Sequence, residues 1–350
     1  MAPKVHTVPA TDETVTVGRF DVSKPPVATV SSGDWVAVET RYHYNDGVAP
    51  GKTIDDIVGL RRAHPDRGPH SVTGPIFVEG AEPGDVLEIR IREIRLKGYG
   101  FNFNLPGEFG TGALPEEFPT GQVKYFALDA KTMTAEFEPG ITVRLAPYPG
   151  ILAVAPPLDW PEGWPVGLAR ARGQPGPGSF HTVPPGPFGG NVDNTLWTVG
   201  TAVFLPVFHR GALVWTGDAH SKQGDGEVNL TAIECAFAPI TMQLIVRKDR
   251  RAEGAWAWPV AETRTHWIVH GLHTDLDEAL KHAARNTIDF MVRERGLTRH
   301  DAYAFASITV DYRVTQVVDL VKGIHALIPK AAFADTADGR WTLCDPTFPW

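Results

Sequence analysis

The densest run of chemically capable side chains is Gly217-Asp218-Ala219-His220-Ser221-Lys222-Gln223-Gly224-Asp225-Gly226-Glu227. Its eleven residues hold three carboxylates, one imidazole, one amide and one amine. The run follows an apolar, strand-like Val214-Trp215-Thr216 and leads into a second strand pattern, so two arms of a hairpin meet here. Positions two apart on a strand face one side of the sheet, which puts Asp218 and His220 together. Oxygen and imidazole ligands without thiolate suit zinc, with calcium or another divalent ion as the alternative where oxygens dominate. Such an ion would polarise a carbonyl and bring the pKa of bound water to about 7. Glu227 could then carry the proton to the leaving group. The competing reading is a solvated hairpin tip, because Gly-Asp-Gly is ordinary turn chemistry.

Three other segments set this run in context. They are Val72-Thr73-Gly74-Pro75-Ile76-Phe77-Val78-Glu79-Gly80-Ala81-Glu82-Pro83-Gly84-Asp85, then Gly189-Gly190-Asn191-Val192-Asp193, and near the C-terminus Val317-Val318-Asp319 before Leu327-Ile328-Pro329-Lys330. Together with Asp-x-His-x-x-Gln-Gly-Asp-Gly-Glu from Asp218 to Glu227, they resemble the acetamidase/formamidase family in the expected order and over most of the chain. The resemblance implies hydrolysis of a short amide to a carboxylic acid and ammonia or an amine, extending to a lactam or carbamate. It also implies a homo-oligomer and a divalent metal. Asp193, Asp218, His220 and Glu227 are the expected metal ligands, with Glu227, His220, Asp218 and His70 as catalytic candidates. Gln223, Asp225 and Asn191 are expected to orient these ligands by hydrogen bonds without touching the ion. The loop Asn194-Thr195-Leu196-Trp197 is bulkier than the smallest-amide enzymes would need, which points to a larger substrate.

The elements that must position these residues are mostly strands. With 43% hydrophobic and 21% charged residues among 350, the composition is that of a globular chain, and 35 Gly and 30 Pro separate short apolar runs. Strands are expected at Thr14–Phe20, Pro26–Val30, Trp35–Thr40, Pro75–Val78, Val86–Leu96, Gln122–Leu128, Leu196–Leu205, Ala212–Thr216, Val228–Phe237, Thr241–Val246, Thr265–His270 and Tyr312–Asp319. In Val86–Leu96, Leu87, Ile89 and Ile91 share one face and Glu88, Arg90 and Arg92 the other, the pattern of a half-buried strand. Helical spacing with Thr274 or Asp275 as N-cap and Gly296 as terminator predicts a helix over Asp275–Arg295, and a shorter one follows at Arg299–Ser307. The fold class is α+β, mainly β, with a large sandwich or barrel-like core and C-terminal helices. Residues 1–150 form a β-rich region and 151–350 an α+β region, packed as one unit. Between Pro156 and Asn191, Pro and Gly oppose regular structure, so a long irregular connection is expected, with its aromatic residues favouring order.

Other functions find less support. The net charge of −8 is spread through the chain without a basic cluster, which argues against nucleic acid. No apolar run approaches a membrane span, and two cysteines do not make a disulfide framework, so a cytoplasmic setting without membrane association is expected. Cys235 is the one alternative nucleophile, as in a nitrilase-like amidase, but its apolar surroundings suggest a core thiol. A binding protein that holds metal or a small amide without turnover is the non-enzymatic alternative. Gly47-Val48-Ala49-Pro50-Gly51-Lys52-Thr53 is one residue short of a phosphate loop and reads as a turn, and His266-x-x-x-His270 lacks the glutamate of a zinc-helix motif. No Gly-x-Ser-x-Gly elbow is present.

Overall fold

The computed structural model describes residues 3–158, 178–336, 342–345 and 347. Most of the Pro/Gly-rich connection expected between Pro156 and Asn191 therefore lies outside the described residues. Among the described residues, two nine-stranded sheets dominate. The first runs in the order Val5–Val8, Trp35–Val38, Phe237–Arg247, Val86–Leu96, Ala202–Pro206, Val260–Glu262, His266–His273, Lys322–Pro329 and Asp311–Gln316. The second carries Gly189–Asn191, Tyr148–Ala153, Val214–Lys222, Ile233–Cys235, Tyr99–Asn104 and Gln122–Ala127, with Ser71–Val78 branching from it. Each sheet interleaves strands from both halves of the chain.

The main core lies between the sheets and is built from the apolar positions that alternation turns inward, including Val36, Val38, Ile89, Ile91, Ile151, Met242 and Leu244. A second apolar cluster joins the far end of the first sheet to the helices Leu276–Arg295 and Arg299–Thr309 through Trp256, Trp267, Phe290 and Met291. The longer helix begins where the Asp275 side chain accepts from Glu278 N–H and ends at Gly296 in the left-handed conformation, φ 67°. These are the two signals read in the sequence. The fold is thus mainly β with C-terminal helices, as expected.

The expectation for Val86–Leu96 needs correction. Of its second face only Arg92 is exposed; Glu88 and Arg90 are as buried as Ile89. Arg90 Nε donates to Glu88 Oε1 at 2.6 Å, and Arg247 Nη1 to Glu88 Oε2 at 2.7 Å. The segment 342–345 covers them, with the carbonyls of Leu343 and Asp345 accepting from Arg247 and Arg90. Alternation therefore reported two different buried faces, because an ion network can be buried when its charges are paired.

The strand Val214–Lys222 is longer than expected and organises the site. One edge pairs along its length with Tyr148–Ala153. The other edge pairs first with Ser71–Val78, as Gly217 opposite Val72, and then with Ile233–Cys235, as Ala219 opposite Cys235. Asp218 sits at the change of partner with φ 49°. The gap between the two departing strands admits side chains from elsewhere.

Candidate active site

Register sets out the site as a row across the second sheet: Tyr148 lies opposite His220, His220 opposite Glu234, and Glu234 opposite Phe101. Alternation sends Ala219 and Cys235 to the other face, into the main core. His220 Nε2 lies 3.3 Å from Asp218 Oδ2 and 3.0 Å from Glu234 Oε2. His43 enters the gap beside Asp218, with Nε2 2.8 Å from Asp218 Oδ1 and 3.3 Å from Glu234 Oε2. His70 stands 3.9 Å from the same Asp218 oxygen and is held by Thr182 Oγ1 at 2.9 Å. Asp193 arrives from the adjoining strand, its N–H donating to Gly150 O at 3.3 Å, and Oδ1 lies 3.7 Å from His220 Nδ1.

Gly150 is the feature that lets these groups converge. A Cβ there would stand 2.5 Å from Asp193 Oδ1, 2.7 Å from Asp218 Oδ2 and 2.7 Å from His220 Cε1. Only a residue without a side chain leaves this space. The backbone around it is also unusual. Asp193, Asp218 and Glu227 have φ 54°, 49° and 49°, a left-handed conformation that costs non-glycine residues on the order of 1–3 kcal/mol each and tends to gather at functional sites.

The polar accounting fits a cation. Nε2 of His220 and Oε2 of Glu234 are buried with no hydrogen-bond partner, and the buried Asp193 carboxyl meets only acidic and imidazole neighbours, the Asp319 carboxyl among them. His220 Nε2 and Glu234 Oε2 are close enough for an ion pair yet not aligned for a hydrogen bond. Buried polar groups rarely go unmatched, and several lone pairs facing a common space are what a bound ion would satisfy. His220 is oriented for it: Nδ1 meets Tyr148 Oη at 2.8 Å, and Tyr148 Oη in turn donates to Gln223 Oε1. Gln223 Nε2 donates to the Asp193 carbonyl at 3.1 Å. This chain leaves Nε2 toward the cluster, the relation usual between a ligating histidine and its supporting partner. Three overlapping groups of side chains can hold a metal: His43, His70 and Asp218; Asp193, His220 and Glu227; and Asp218, His220 and Glu234.

The electrostatics agree. Five buried acids, Asp193, Asp218, Glu227, Glu234 and Asp319, share the space with three histidines. Burial pushes Glu227 well above the usual carboxylate range, with the Asp193 charge adding to it. Asp193 and Asp319 are raised for the same reason. Burial opposes ionisation of Asp218 and Glu234 as well, but the neighbouring histidines outweigh it and hold both low. Burial likewise opposes a charge on His220, and there the carboxylates prevail and raise it. His70, with burial dominant, falls to about 4.

Above the cluster lies a cavity of about 100 Å³. Asp218, Glu227 and Glu234 face it, and Phe103, Leu105, Leu230 and Val318 supply apolar walls. Asn191 lines it too, buried and with Oδ1 unpartnered.

The structure therefore brings together Asp193, Asp218, His220, Glu227, His70, Gln223 and Asn191. It does not bring in Asp225, which is exposed, 3.3 Å from Thr195 Oγ1 and 3.9 Å from Arg313. Nor does the loop Asn194–Trp197 line the cavity. Trp197 is buried against His270 at 5.4 Å and Asn194 bonds His270 at 2.8 Å, so its bulk says nothing about substrate size. His270 lies on the strand His266–His273, outside the cluster.

His43, Glu234 and Tyr148 were not apparent in the sequence. Glu234 carried a signal, as an acid inside the apolar stretch Thr231–Phe237. His43 carried none, since a turn with Tyr44 at φ 52° and Asn45 at φ 58° aims it. Cys235 has its thiol raised well above normal by burial, which removes the thiolate that a cysteine nucleophile requires.

Comparison with known proteins identifies the family. The acetamidase/formamidase family model matches residues 5–172 and 173–335. The chain is 28% identical to an acetamidase of Mycolicibacterium smegmatis, over 81% of this chain and 83% of that protein. It is 24% identical to a formamidase of Methylophilus methylotrophus, over 94% and 93%. The crystal structure of an acetamidase from Bacillus halodurans superposes with a TM-score of 0.78 at 28% identity, covering 95% of this chain and 99% of that one. This chain belongs to the acetamidase/formamidase family and is an amidohydrolase.

Proposed function

We propose that the protein hydrolyses a short, neutral amide to a carboxylic acid and ammonia, with a divalent ion, zinc first, held by Asp193, Asp218 and His220. The observation that carries this reading is that Asp193 Oδ1, Asp218 Oδ2 and the His220 ring meet around the space that Gly150 leaves open, with His220 Nε2 buried and unpartnered. Oxygen and imidazole donors without thiolate suit such an ion. When bound, it supplies a Lewis acid that polarises the amide carbonyl and acidifies water.

The chain's own residues do the proton work. Glu234 and Glu227 both face the cavity, and their surroundings drive them in opposite directions. Such a split separates base from acid. Glu234, held ionised beside His220 and His43, takes a proton from the attacking water as its oxygen bonds the carbonyl carbon. Glu227, kept protonated by burial, gives its proton to nitrogen as the C–N bond breaks and ammonia leaves. Proton return from Glu234 to Glu227 completes the cycle. The apolar walls and the small volume suit a short acyl group and disfavour a charged one.

Ammonia release from formamide, acetamide and propionamide tests the activity and separates it from mere binding. His220→Ala is expected to lose both bound metal and turnover while its circular dichroism spectrum stays unchanged. A variant with full metal content and full rate would remove His220 from the site.

A further inference from the structure

Asn191 is a cavity-lining group that the mechanism above does not use. It ends the strand Gly189–Asn191, opposite Ile151 on Tyr148–Ala153, and two residues later Asp193 N–H donates to Gly150 O. Its backbone is thus tied on the same strand that carries Gly150. The side chain is 2% exposed and borders the cavity, and Oδ1 has no hydrogen-bond partner. A carboxamide oxygen accepts hydrogen bonds and donates none, and leaving one buried and unmatched is unfavourable by about 1–3 kcal/mol. The ion site already has carboxylates and an imidazole, which are stronger ligands than a neutral amide. What the Asn191 oxygen lacks is an N–H donor.

Resting on the amidohydrolase reading, we propose that Asn191 Oδ1 accepts a hydrogen bond from the nitrogen of the scissile amide and so selects amides over esters. With one N–H held by Asn191, the amide nitrogen has a fixed orientation as its lone pair develops and takes the proton from Glu227. An ester places an oxygen lone pair against Oδ1 instead of a donor. A site built to pair with a substrate N–H discriminates strongly against the analogue that lacks it, because its own polar group is then left unmatched.

The test compares kcat/KM for acetamide and for p-nitrophenyl acetate in the metal-loaded wild type, Asn191→Ala and Asn191→Ser, with metal content and Tm measured on each. For Asn191→Ala the acetamide value is expected to fall at least about 30-fold while the ester value holds or rises, with metal content unchanged. Asn191→Ser, which keeps an acceptor, recovers part of the amide rate. Parallel loss of both activities would mean a structural role, and loss of metal would make Asn191 an ion ligand. Either result overturns the proposal, as does an unchanged amide rate. A wild type that releases no ammonia from any amide would sink the amidohydrolase reading and the proposal together, whereas failure of the proposal alone leaves wild-type turnover intact.

Discussion

At the scale of single residues, a missing side chain matters as much as those present. Gly150→Ala would put a methyl group within 2.7 Å of Asp193 and Asp218 oxygens. Metal bound per chain, by elemental analysis, and ammonia release are both expected to fall by at least about tenfold, with secondary structure retained. Tyr148→Phe removes the oxygen that holds His220 Nδ1 and should lower metal affinity or turnover by about 10- to 100-fold. Cys235→Ala is expected to keep full turnover, and a folded, metal-loaded but inactive variant would restore the thiol mechanism. Asp218 and His220 were legible because spacing of two on a strand is a geometric statement, and the pairing of Tyr148 with His220 was not because it depends on sheet register. Glu234 shows the intermediate case. Its acid stood in plain view in an apolar strand, yet only the pairing of Ile233–Cys235 with Val214–Lys222 places it beside His220.

At the scale of elements, the helix Leu276–Arg295 matched expectation because its caps and its apolar spacing are local. The helix Ile54–Ala63 was missed although Thr53 and Asp56 form a capping box, since Pro50, Gly51 and Lys52 ahead of it read as a plain turn. Strands of three residues, such as Val15–Val17 and Arg19–Asp21, are too short for a period and merged into one in the sequence. The tie between segment 342–345 and the first sheet gives two predictions. Arg247→Ala takes from buried Glu88 one of its guanidinium partners and should lower stability to urea by about 3 kcal/mol. Glu262, which accepts from Thr342 Oγ1 at 2.7 Å and from the N–H groups of Leu343 and Cys344 at 2.9 and 3.0 Å, gives the second. Burial opposes its charge, but Lys330 and these donors hold its carboxyl below the usual range. Its contribution is therefore complete above the unfolded-state value of about 4.5 and lost as pH falls through the lower folded-state value. Glu262→Gln should be less stable than wild type at pH 7, with the difference shrinking below about pH 4.5 in thermal unfolding curves. A difference that grows on acidification would contradict that sign.

At the scale of the whole molecule, the site exists because strands distant in sequence are neighbours in the sheets. Gly189–Asn191, Tyr148–Ala153 and Val214–Lys222 lie side by side, and the loop after Asp311–Gln316 reaches the cavity with Val318, Asp319 and Leu320, next to the point where Gly226 N–H donates to Thr315 O at 3.1 Å. Alternation and turn residues could suggest a mainly β architecture with C-terminal helices, but not which strand lies beside which, and so not the meeting of His43, Asp218 and Glu234. No helix among the described residues is long and apolar enough to cross a membrane. The account depends most on an ion among Asp193, Asp218 and His220 being required for amide hydrolysis. The direct measurement is acetamide turnover by the full-length protein with its metal content determined before chelation, after exhaustive chelation and after a divalent metal is returned. The account predicts bound metal at the start, loss of ammonia release in step with loss of metal, and recovery when metal is restored. Full turnover by protein shown to be metal-free would contradict it.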